Sequence, residues 1–82
     1  MYAATIVVME KDPELLKNIA LNIRKFRHEK NLSQEDLAEL AGVHRTYIGM
    51  LERAEKNVTV LSLAQIAHAL DHAIQDFFEE GK

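Results

Sequence analysis

The chain has 82 residues, a formal net charge of −3 and no cysteine. That length fits one domain whose small core would gain stability from self-association, and the lack of cysteine excludes disulfides and thiolate metal centres, as suits a reducing, cytoplasmic setting. The longest apolar run, residues 6–9, is far short of the roughly 20 needed to span a bilayer and has no basic stretch before it, so neither a membrane anchor nor a signal peptide is expected.

Residues 1–11 form an N-terminal arm of uncertain structure. Positions 3–9 are apolar and β-branched enough for a short strand, but a lone strand has no stability without a partner. Asp12 followed by Pro13 is a helix start, with Asp at the cap and Pro at the first helical position, and it opens a domain expected to span 12–82. The first helix runs to about residue 30, with Leu15, Leu16, Ile19, Ile23 and Phe26 as its inward stripe. Asn31 follows as a residue that tolerates the left-handed conformation of a helix stop.

Ser33 then caps a second helix, about 34–41. Asp36 stands three residues on, where a capping box has its acid. Leu37, Ala38, Leu40 and Ala41 recur at helical spacing with Glu35, Asp36 and Glu39 between them, the pattern of a half-buried helix. Gly42 sits where the chain must reverse within about 3 to 4 residues and needs positive φ, and Val43 plugs that turn into the core. His44 can cap a third helix ending near Arg53, with Tyr47, Ile48 and Leu51 inward and Arg45, Thr46, Gly49 and Met50 on the opposite side. Ala38 offers only a methyl where the two helices cross.

Thr59 caps a fourth helix, about 60–70, with Leu63, Ile66, Ala67 and Leu70 inward. Asp71 and His72 break the pattern, and a fifth helix is expected from about 73 or 74 to 80. The fold class is therefore all-α, a compact five-helix domain. Ile74, Phe77 and Phe78 give the last helix more apolar surface than one small core can bury. One phenylalanine should close the monomer; the other, with Ile74, is a candidate two-fold homodimer interface.

Charge is unevenly distributed: residues 13–31 carry a net of +3 and residues 59–82 a net of −3. An acidic C-terminal end opposite a modest basic surface is compatible with a nucleic-acid partner bound by few, salt-sensitive phosphate contacts.

The paired short helices of residues 33–63 resemble the helix-turn-helix family of phage Cro and cI repressors, the XRE-type regulators, whose fold is lambda-repressor-like. The runs Arg45-Thr46-Tyr47-Ile48-Gly49 and Asn57-Val58-Thr59 are most similar to the controller proteins of restriction-modification systems. The resemblance implies a dimeric transcription regulator bound to double-stranded operator DNA, palindromic, with two recognition helices about 34 Å apart. It further implies activation at one site and repression by a second dimer, which would bring in RNA polymerase as a partner. Alternatives are a phage-type or general XRE repressor, or, from another class, an antitoxin whose main partner is a toxin protein.

The resemblance carries the first turn of the third helix into the major groove, and the residue types suit that task. Arg45 can contact guanine O6 and N7, and Thr46 can offer a methyl to thymine or a hydroxyl to a base or phosphate. His44 at the cap is counted with them. Tyr47 is expected to pack beside the turn with its hydroxyl toward a phosphate, or else to pack in the core. Ser33 and Gln34 stand at a helix N-terminus, where free N–H groups favour an anion. Lys56 and Asn57 lie in the loop that follows the sugar-phosphate backbone in relatives. Gly49 and Met50 replace the long polar readers of many repressors, so direct readout should be sparse and DNA shape should contribute. Arg27 and Glu52 match a family ion pair and are structural. Ala54 stands where relatives commonly have glycine.

No cofactor is expected. His68 and His72 are four residues apart, but the break at Asp71 separates them and no third metal ligand is evident. With no Gly-rich phosphate loop and no obvious cleft to perturb a carboxylate, the chain does not read as an enzyme.

Overall fold

The computed structural model describes residues 13–80. Four α-helices, α1 (Pro13–Glu29), α2 (Gln34–Ala41), α3 (Arg45–Glu52) and α4 (Val60–Ala69), are followed by a 3₁₀ helix (Ile74–Phe78). The expected N-terminal arm, the Asp12 cap and the end of the chain past residue 80 lie outside the described residues.

Each α-helix stops in the same way. A residue in the left-handed conformation, Asn31 (φ 57°), Gly42 (φ 73°), Ala54 (φ 57°) or Asp71 (φ 58°), follows the last turn. The next N–H then reaches back to a carbonyl of that turn: Leu32 to Arg27, Val43 to Ala38, Glu55 to Met50 and His72 to Ala67, at 2.9–3.1 Å. This is the hydrogen-bond pattern that satisfies the orphan carbonyls of a helix end. Ala54 adopts it without being glycine, so the tight end of α3 forms although a Cβ at positive φ is unfavourable.

The starts are equally local. Ser33 Oγ accepts the Asp36 N–H at 2.9 Å while the Asp36 carboxylate accepts the Ser33 N–H at 3.1 Å. The Ser33 backbone N–H, and after it the Ser33 hydroxyl, favour the ionised acid and hold the Asp36 carboxyl below its ordinary value of 3.8. Thr59 and Ser62 repeat the box with hydroxyls at the head of α4.

The inward faces meet in one core of Ile19, Ile23, Phe26, Leu37, Ile48, Leu51, Leu63, Ile66, Leu70 and Phe77. Leu40 does not join it and is 61% exposed. At 3.6 residues per turn it falls roughly 100° from the centre of the stripe formed by Leu37, Ala38 and Ala41, so the expectation that it shares their face is corrected.

Two further corrections concern the C-terminal end. The fifth helix is one five-residue 3₁₀ segment, entered from an extended Ala73 after the left-handed Asp71. It is held from outside: Asn22 Nδ2 on α1 donates to the carbonyls of Phe77 (2.9 Å) and Glu79 (2.7 Å). Phe77, one of the two phenylalanines considered with Ile74 for a dimer interface, is fully buried. Its ring meets Phe26 edge to face at a centroid distance of 5.1 Å, so Phe77 closes the monomer and leaves the interface set. Phe78 is exposed and Ile74 half-buried. His72 stacks on the other side of the cluster, parallel to Phe26 at 3.6 Å, with Nδ1 3.0 Å from the Asp76 carboxylate. Lys30 closes the same end with a 2.8 Å pair to Asp71, whose carboxyl it holds below the ordinary range, first by hydrogen bonding and then by charge.

Candidate nucleic-acid interface

Three elements converge on an open groove of about 620 Å³: the end of α1, the start of α2 and the exposed side of α3. Its floor is a charge network. Arg27 Nε and Nη2 donate to the two oxygens of Glu52 at 2.7 and 3.0 Å, and Arg27 Nη1 donates to the Leu32 carbonyl at 2.8 Å. Gln34 Nε2 adds a third bond to Glu52, at 3.1 Å. The Arg27 and Glu52 side chains are only 10% and 4% exposed. A bidentate, almost dry ion pair of this kind ties α1 to α3, and Gln34 ties the N-terminus of α2 to both.

The walls are solvated. Ser33, Glu35, Arg45 and Thr46 are all exposed and all line the groove. Arg45 Nη1 donates to Glu35 Oε2 at 2.8 Å, with both side chains about two thirds exposed. Such a pair contributes little to stability and leaves the guanidinium free to exchange partners. His44 Nδ1 accepts the Thr46 N–H at 3.1 Å, fixing the entry of α3.

The groove therefore gathers Ser33, Gln34, Arg45 and Thr46, with His44 adjoining at the α3 cap. Tyr47 stands apart, its hydroxyl 2.6 Å from Ser62 Oγ in the junction of α3 with α4. The same Ser62 oxygen also lies 2.9 Å from Thr59 Oγ1, so Tyr47 is built into the cap of α4. Lys56 and Asn57 are exposed in the loop after α3. Gly49, expected on the side of the third helix opposite its inward residues, is buried, because the side chains of Gln34 and Arg53 close over it.

In the sequence Arg53 marks only the end of the third helix. Its i, i+4, i+8 register with Gly49 and Arg45 on α3 was the available signal. Asn22, a buried polar residue, carries no local signal, because its partners are 55 and 57 residues away; Ser62 is legible only as the capping partner of Thr59, since Tyr47 is 15 residues away.

Comparison with known proteins agrees with this architecture. The helix-turn-helix family model matches residues 23–77. The control protein C.SmaI of Serratia marcescens is 52% identical over 56 residues, 68% of this chain and 67% of that protein. The crystal structure of the restriction-modification controller protein C.AhdI from Aeromonas hydrophila superposes with a TM-score of 0.75 at 38% identity, covering 77% of this chain and 96% of that one. A hypothetical transcription factor from Neisseria superposes with a TM-score of 0.80 at 34% identity, covering 84% and 79%. The chain belongs to the Cro/cI, XRE-type helix-turn-helix family and, within it, is similar to the restriction-modification controller proteins.

Proposed function

We propose that the protein is a sequence-specific DNA-binding transcription regulator, the controller of a restriction-modification operon, acting as a homodimer on a palindromic operator. The observation that carries the controller assignment is the 52% identity with a control protein over 56 residues. In this role the first turn of α3 enters the major groove, Arg45 exchanges Glu35 for a guanine edge, and Thr46 meets a neighbouring base or phosphate. Ser33 and Gln34 present the N-terminus of α2 to a phosphate. Lys56 and Asn57 follow the backbone beyond α3, and His44 and Tyr47, at the cap and first turn of α3, set its pitch.

Dimerisation is assigned to the C-terminal end. Phe78 and Ile74 supply apolar surface beside the buried Phe77, and the 3₁₀ helix packs on α4, where Leu61 is 71% exposed. A two-fold contact there would cover apolar surface that one monomer leaves in water. Activation of an operon would add RNA polymerase as a partner.

Selection of binding sites from random DNA tests this function directly. The expected result is an enriched palindrome with half-sites one helical turn apart, bound by a species that sediments as a dimer at micromolar concentration. A monomer in sedimentation, or no enriched sequence, overturns it.

A further inference from the structure

The sequence presents Gly49 as a gap in the reading face of α3. The structure shows that gap to be filled. Arg45, Gly49 and Arg53 lie on one face of the helix, and long side chains on a helix lean back over the preceding turn. The Arg53 guanidinium accordingly lies across Gly49: a Cβ there would stand 3.2 Å from Nη1 and 3.9 Å from Cζ of Arg53, and 3.4 Å from Oε1 of Gln34. That separation from Nη1 is tighter than ordinary contact, so a side chain at residue 49 requires the guanidinium to shift.

We propose that Arg53, seated on Gly49, is a second base-reading residue of this protein, contacting a guanine edge at a base pair other than the one read by Arg45. The inference rests on the DNA-binding role proposed above. Three observations carry it. Arg53 lines the same groove as Arg45 and Thr46. Its side chain is 57% exposed, with Nε 3.0 Å from Glu55 Oε1 in a solvated pair that can part at little cost. Among the described residues, no hydrogen bond is made by its Nη groups, whereas Nη1 of Arg45 donates to Glu35. A planar fork lying on Gly49, with Nη groups that donate no hydrogen bond, suits the O6 and N7 pair of guanine. Because the fork lies against the helix surface, it enters the groove with α3.

The test is binding-site selection at one salt concentration with the wild type, Arg53→Ala, Arg53→Lys, Gly49→Leu and the Gly49→Leu/Arg53→Ala double variant. The expected result is that Arg53→Ala lowers the preference for guanine at one position of each half-site about tenfold while the position lost in Arg45→Ala is kept. Arg53→Lys keeps the charge and the salt dependence but not the bidentate fork, so it loses the same preference. Gly49→Leu evicts the guanidinium and reproduces the loss, and the double variant loses no more than either single one. Uniform weakening across all sequences with a shallower salt slope would make Arg53 a phosphate contact and overturn the proposal. Unchanged selectivity in both Arg53 variants would overturn it as well, whether or not Gly49→Leu folds. If the wild type selects no site, or Arg45→Ala keeps full selectivity, the DNA-binding role itself fails; silence confined to the Arg53 variants fails this inference alone.

Discussion

Two arginine–glutamate pairs, one below the groove and one on its rim, have nearly the same length and opposite character. Arg27 and Glu52 meet at 2.7 Å in near-complete burial; Arg45 and Glu35 meet at 2.8 Å in water. The first pair is surrounded by partners that depend on it, the Leu32 carbonyl and the Gln34 amide among them. The second pair can part at little cost. Burial, not charge or distance, decides which arginine is architecture and which is available to a ligand.

That contrast is easiest to break from below. Arg27→Ala leaves Glu52 buried and uncompensated, and chemical denaturation should show a loss of about 3–5 kcal/mol. Asn22→Ala extends the contrast to a neutral group: two carbonyls of the C-terminal segment lose their donor, with a loss of about 1–3 kcal/mol and earlier hydrogen exchange around Phe77. A loss no larger than that of a surface substitution in either variant would show that these interior bonds do not set the frame of the groove.

Ala54→Gly sharpens the picture from the other side. A methyl held at a φ of 57° is unfavourable, so the glycine variant should gain up to about 1 kcal/mol, seen as a higher Tm. The smallest effect is confined to acid. Folding lowers the Asp36 pKa, so the folded state takes up this proton less readily than the unfolded chain. The resulting stabilisation is complete above the ordinary carboxylate value and is lost as pH falls through the lower folded value. Asp36→Asn should therefore flatten the acid limb of the stability curve below about pH 4.

The elements legible in the sequence are those specified by neighbours in the chain. Ser33 with Asp36, Thr59 before α4, and Gly42 and Asn31 at positive φ each follow from a rule spanning a few residues, and these placed all four α-helices. What escaped depends on distance. Nothing near Phe77 or Phe78 tells which one closes the core; Phe26 and Asn22, both remote in sequence, decide it. Leu40 was misplaced because an eight-residue helix offers too few apolar positions to define its face. Ala54 breaks the local rule outright, its left-handed conformation being held by the Glu55 N–H to Met50 carbonyl bond. At the groove, Arg45 and Thr46 were legible from residue type and register. Arg53 was not, since its position depends on an absent side chain at Gly49.

The central claim is that α3 is positioned by a buried arginine and reads DNA with an exposed one. The most direct test is the ratio of specific to non-specific DNA affinity for Arg45→Ala, measured at fixed salt on protein whose stability has been checked. The expected result is a stability within about 0.5 kcal/mol of the wild type and a specificity ratio lower by about tenfold or more. A variant that keeps its specificity ratio, or loses it only by unfolding, would contradict the account.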